Sequence, residues 1–165
     1  MSSARARLAV MASPILADLW IEETVRPDLL EVTTWMSLDE IRSYHRLTPD
    51  QPLLLHGGNL LGTALTASQE KVLLEQVEET RPPWISVHIS LWPWHVLRDA
   101  RERGRQPSAL DLGYHLEDFF ARVRALREKV GVPLLLENAP GLPGMEKDPE
   151  SDPETIAAVL EATGC

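Results

Sequence analysis

Five short apolar runs, each followed by a segment with helical punctuation, constrain this chain more than any other feature. The runs are Leu8 to Ala12, Leu29 to Thr33, Leu53 to His56, Trp84 to His88 and Leu134 to Glu137. Several are almost unbroken apolar stretches. That is the pattern of strands buried on both faces of a parallel sheet, whereas half-exposed strands alternate apolar and polar residues. Parallel neighbours cannot be joined by a tight hairpin and need a crossover, most often a helix. The alternation therefore predicts an α/β fold, with right-handed crossovers and helices covering the outer face of a parallel sheet.

The helical segments carry their own start and stop signals. Ser13-Pro14 opens a short helix through Trp20. Ser37 with Glu40, and Thr66 with Gln69, have the spacing of capping boxes, for helices reaching about His45 and Thr80. Leu116, Phe119, Phe120, Val123, Leu126 and Val130 recur at steps of three and four, which puts one apolar stripe against the sheet. Gly131 suits the cap of that helix. Asp152-Pro153 starts a last helix to Thr163, which Gly164 would end.

The chain stops at Cys165, where the alternation calls for a sixth strand. It has 165 residues, against about 250 for a complete eight-stranded barrel. The expectation is a partial (β/α) TIM-type barrel of about five parallel strand–helix units, lacking its C-terminal units, as a single domain over 1–165. The rival is a complete five-stranded open sheet. A partial barrel would leave its first and fifth strands as edges and apolar surface uncovered beside them. Self-association through the open edges, or a partner supplying the remainder, follows from that expectation.

Composition narrows the function classes. A formal net charge of -9, with basic residues scattered apart from Arg98–Arg105, argues against nucleic acid. No apolar run approaches the roughly 18 residues of a membrane span. Arg5 and Arg7 before Leu8-Ala9-Val10-Met11-Ala12 have some look of a signal peptide, but Pro14 and Asp18 break the run and it reads as a first strand. The single cysteine, Cys165, excludes an internal disulfide and fits a reducing cytoplasm. The Gly57–Gly62 loop lacks the Lys-Ser/Thr of a phosphate loop, and its glycines read as room for backbone near a metal or ligand. No nucleophile elbow is present, and no residue is assigned as catalytic.

Three chemistry-bearing side chains stand at the downstream ends of apolar runs: His56, His88 and Glu137. Parallel strands place their C-terminal ends on one side, so the three can converge. Two imidazoles and a carboxylate are a common ligand set for iron, zinc or manganese. A carboxylate after three leucines would be costly to bury without a cation or donors. Asn138 can steady a ligand or substrate, or serve a turn. Glu31 is a possible polar member of the same mouth, against a salt bridge or solvent exposure. Trp35, Trp92 and Trp94 follow strand ends and could wall a peptide or small ligand, or pack beneath a long loop. Trp92, Trp94 and Asn138 are the candidate substrate contacts. His45 reads as exposed, His95 as a spare ligand and His115 as a helix start.

With these residues in place, the chain resembles the N-terminal part of the multinuclear non-haem iron-dependent oxidases, within the xylose isomerase-like barrel superfamily. The resemblance rests on Leu55-His56-Gly57-Gly58-Asn59-Leu60-Leu61-Gly62, Ile85-Ser86-Val87-His88-Ile89 and Leu135-Leu136-Glu137-Asn138-Ala139-Pro140. Leu160 to Cys165 is similar to the helix end before the family's next metal-binding strand. The resemblance implies metal ligation by His56, His88 and Glu137, with two or three iron ions. It also implies oxygen-dependent modification of cysteines in ribosomally made peptides, with a partner protein presenting the Cys-containing peptide. The family's later ligands have no counterpart in the chain. Two rival expectations stand beside it. One is a zinc- or manganese-dependent isomerase, epimerase or endonuclease of the same superfamily. The other is a non-catalytic remnant that binds a partner.

Overall fold

The computed structural model describes residues 7–22, 24–91, 109–138 and 152–165, with backbone alone at 109–115. The chain runs β1 (Ala9–Met11), α1 (Pro14–Ile21), β2 (Leu29–Thr33), α2 (Leu38–Leu47), β3 (Leu53–His56), a 3-10 turn (Leu60–Gly62), α3 (Ala67–Thr80), β4 (Ile85–Ile89), α4 (Ala109–Val130), β5 (Leu134–Asn138) and α5 (Pro153–Thr163). The strands form one sheet in the order β1-β2-β3-β4-β5. Every neighbouring pair is parallel. This is the expected α/β architecture, consistent with part of a β/α barrel, and β1 and β5 are the edges of the described sheet.

Local signals set the helix boundaries. The hydroxyl of Ser37 accepts the Glu40 amide while the Glu40 carboxylate accepts the Ser37 amide, and Thr66 and Gln69 repeat the arrangement. Asp152 caps α5, with Pro153 in its first turn. Gly164 ends α5 in the left-handed region at φ 66°, and Arg127 Nη1 on α4 donates to the carbonyls of Thr163 and Gly164. Helix α3 ends on a non-glycine left-handed residue, Arg81 at φ 42°. Pro82 and Pro83 follow and cannot continue the helix. Helix α4 covers Ala109–Val130, so His115 lies inside it rather than at its start. No helix among the described residues is long and apolar enough to cross a membrane.

Register divides the sheet into two unlike faces. Because side chains alternate along a strand and paired residues of neighbours point the same way, Leu30, Val32, Leu53, Leu55, Ile85, Val87, Ile89 and Leu134 share one face. All are buried, in one core with Ile41, Leu73, Phe119, Val123, Leu126 and Val159 of the helices. Burying each such side chain is worth about 1.5–3 kcal/mol, so this face anchors the helices to the sheet. The other face carries Met11, Glu31, Thr33, Leu54, His56, Ser86, His88, Leu135 and Glu137.

One expectation fails on that second face. Strand β5 reads as buried throughout, yet Leu135 is 45% exposed and the Glu137 side chain 44%. Both point away from the helices, on an edge strand. The argument that Glu137 needs a cation to offset burial therefore does not apply.

Candidate metal centre

The polar members of the second face gather at the C-terminal ends of β2 to β5. The register pairs Thr33 with His56, His56 with Ser86, and His88 with Glu137. Strand alternation then puts Glu31 two residues before Thr33 on the same side. The expected convergence is present: His56, His88 and Glu137 each offer one donor atom, and these atoms lie within 4.8 Å of one another. They form a group that could hold a metal ion. Bonds of about 2 Å to one ion would set the donors about 3–4 Å apart. The half-exposed Glu137 side chain has the freedom to close that difference.

His56 is buried, 7% exposed. Its Nδ1 lies 2.8 Å from Ser86 Oγ. The Glu31 and Glu137 carboxylates each approach that nitrogen to 3.8 Å. Ser86 and both carboxylates therefore meet the same ring nitrogen. A nucleophilic serine triad needs its serine and its acid on opposite nitrogens, so this constellation does not assemble one.

His88 is oriented from behind. Its Nδ1 is 3.0 Å from Asn59 Oδ1, which also accepts from Ser90 Oγ at 3.2 Å. An amide oxygen only accepts, so Nδ1 carries the proton and Nε2 keeps its lone pair. That Nε2 lies 3.9 Å from Glu137 Oε2. The two imidazole rings stand 5.0 Å apart, centroid to centroid. Burial lowers the His88 pKa, the nearby His56 lowers it further, and Glu137 opposes them. The net direction favours the neutral ring, the form that ligates a metal.

Charge at the mouth is not balanced by the lysines and arginines of the described residues. Among the described residues, neither Glu31 nor Glu137 pairs with a lysine or arginine; their ionic neighbours are His56 and His88. Thr33 Oγ1, at the register level of His56, is buried and without a hydrogen-bond partner among the described residues. Such a donor set and charge fit a divalent cation.

The glycine loop packs closely against both the sheet and the site. The Gly57 amide donates to the Ser86 carbonyl and the His88 amide to the Gly58 carbonyl, both at 2.7 Å, extending the β3–β4 ladder past His56. A Cβ on Gly57 would stand 2.7 Å from Val87 Cγ1, and one on Gly58 2.6 Å from Trp35 Cη2. Gly57 thus leaves room for Val87 and Gly58 for the Trp35 ring, and a Cβ at Gly58 would also stand 3.6 Å from His56 Nε2, beside the candidate metal ligands.

The other candidates are placed as follows. Trp92, Trp94, His95 and the Arg98–Arg105 stretch lie outside the described residues. Asn138 pairs with Ile89, on the face opposite to Glu137, and is exposed. His45 is half-exposed, with Nδ1 4.0 Å from Glu79 Oε1. It lines a cavity of about 970 Å³ with Arg42, Glu79 and Arg81, beside Leu53 at the opposite end of β3 from His56. Glu31, a possible polar member of the mouth by sequence, with a salt bridge or solvent exposure as the rival, stands beside His56 with its carboxylate 3.8 Å from Nδ1. Asn59 and Ser86 went unassigned. Alternation puts Ser86 on the same face as His88, two residues on, without showing that it meets His56, and Asn59 is marked only as the polar residue among glycines.

No family model matches the chain, and a search of curated proteins gives no match either.

Proposed function

We propose that the chain is a metal-dependent protein of the β/α-barrel type, in which His56, His88 and Glu137 hold iron for an oxidase-type reaction. The observation that carries this reading is the approach of the three donor atoms to within 4.8 Å. Two imidazoles and a carboxylate suit iron, zinc or manganese alike. The resemblance of the His56–Gly62, Ile85–Ile89 and Leu135–Pro140 segments to the multinuclear non-haem iron-dependent oxidases favours iron among them.

Iron held there supplies redox chemistry with oxygen, directed in that family at cysteines of ribosomally made peptides. The chain's own side chains do the holding. Asn59 keeps the proton of His88 on the nitrogen away from the site. Ser86 fixes the ring plane of His56. Glu31 places a second carboxylate beside His56. A Cys-containing peptide and a protein presenting it are the partners this reading implies.

Glu31 also favours a second reading, because it enriches the site in hard oxygen donors. Zinc or manganese would then act as a Lewis acid on an oxygen-bearing substrate, as in isomerases and epimerases. Anaerobic reconstitution of the metal-free protein with Fe²⁺, Zn²⁺ or Mn²⁺, followed by metal analysis and exposure to oxygen, separates the two. Retained iron with oxygen uptake in the presence of a cysteine peptide supports the oxidase. Retained zinc or manganese with no oxygen chemistry supports the second reading. Retention of none overturns both.

A further inference from the structure

Trp35 is 68% exposed, yet its backbone is tied down on both sides. The Gln76 side-chain amide on α3 donates to the Thr34 carbonyl at 3.0 Å and to the Met36 carbonyl at 2.8 Å. Gln76 itself is 1% exposed, and its Oε1 has no partner among the described residues. Backbone bonds add to the clamp: the Thr34 amide donates to His56 O at 3.0 Å and the Met36 amide to Thr33 O at 3.1 Å. The indole lies against Gly58, where φ is +49° and a Cβ would meet the ring at 2.6 Å. It faces the His56 ring edge-on, with centroids 6.3 Å apart and planes at 90°.

A single exposed apolar side chain is ordinary and needs no explanation. This one differs in what holds it. A fully buried glutamine spends both donors on the two carbonyls that flank Trp35, a costly group to bury for a loop that only connects β2 to α2. A left-handed glycine clears the space the ring fills. The result is a broad apolar face held in water at the edge of the His56–His88–Glu137 group.

We infer that Trp35 is a wall of the metal centre that selects ligands by their apolar part, and that Gln76 is the positioning residue that holds the wall. The inference rests on the metal reading above. The ligand class is a small organic molecule or side chain with one donor group for the cation and an aromatic or branched apolar body for the indole. A ligand with the same donor but a small body gains nothing from Trp35.

Acetohydroxamate and benzohydroxamate test this, since they share one chelating group and differ in a methyl against a phenyl. Their dissociation constants are read from the visible bands of the Co²⁺-loaded protein. The preference for the phenyl compound in the wild type should exceed that in Trp35→Ala by roughly two- to tenfold, the range for one aromatic contact. Trp35→Ala should still bind Co²⁺ and acetohydroxamate, so that the ratio of the two constants can be read, and Trp35→Phe should restore part of the preference. Gln76→Met should shrink the preference while Co²⁺ stays bound; if that buried substitution unfolds the protein, the exposed Trp35 variants decide the matter alone. Equal preference in wild type and Trp35→Ala overturns the inference and leaves the metal reading standing. Failure of Co²⁺ to bind at all overturns both.

Discussion

Asn59 Oδ1 sits 3.0 Å from Nδ1 of His88, on the side of the ring away from the nitrogen that faces Glu137. One loop residue thereby decides which imidazole nitrogen is free to ligate. Asn59→Ala should weaken divalent-metal binding by about 10- to 100-fold, the usual effect of removing a partner behind a ligand. Competition against a chromophoric zinc chelator measures this, and unchanged affinity would remove Asn59 from the site.

Glu137 and His56 should separate metal binding from stability. Glu137 is half-exposed on an edge strand, so Glu137→Gln should alter folding stability by no more than about 0.5 kcal/mol while lowering metal affinity. His56 is buried and bonded to Ser86, so His56→Ala should lose affinity and also cost about 1–3 kcal/mol of stability. Urea melts paired with zinc titrations give both quantities. A large stability loss in Glu137→Gln would mean that its place is structural.

The metal-free protein should show a pH signature at His88. Burial, reinforced by His56, holds its pKa below the ordinary value. The unfolded chain then takes up a proton that the folded chain resists. The penalty is absent above the ordinary imidazole range and grows as pH falls through that range toward the lowered folded value. A proton NMR titration should find the His88 ring titrating below a histidine in the denatured chain. Titration at or above that reference would contradict the desolvated setting.

Gly58 should be intolerant of a side chain for two separable reasons. Its left-handed φ of +49° penalises any L-residue by about 1–2 kcal/mol, and a Cβ would strike the Trp35 ring at 2.6 Å. Gly58→Ala should therefore cost more in the wild type than in a Trp35→Ala background, where the backbone penalty alone remains. Thermal melts of the four proteins form the cycle. Equal costs in both backgrounds would mean that the ring moves aside freely.

The limits of sequence reading are visible in the same residues. Strands β2 and β3 and helix α3 stand where local patterns place them, because apolar runs and reciprocal caps are chemistry between residues at most four apart. The convergence of His56, His88 and Glu137 was legible too, since parallel strands share a direction and all three stand at or next to the last residue of a strand. What the sequence could not reveal depends on register and on contacts across the fold. Ser86 reaches His56 only because β4 pairs one particular way with β3. Trp35 meets Gly58, and Gln76 meets the Trp35 loop from about forty residues away. The exposure of Glu137 depends on which face of an edge strand it occupies, which the run of leucines before it conceals.

The most direct test of the metal centre is equilibrium dialysis of the purified chain against Fe²⁺ under anaerobic conditions, with Zn²⁺ in parallel. Wild type is compared with the double variant His88→Ala/Glu137→Ala, and bound metal is measured in each. The wild type should retain metal in proportion to protein, and the double variant should lose it while its circular dichroism stays that of the folded protein. Equal metal content in the two proteins, or none in the wild type with either ion, would contradict a centre built from His56, His88 and Glu137.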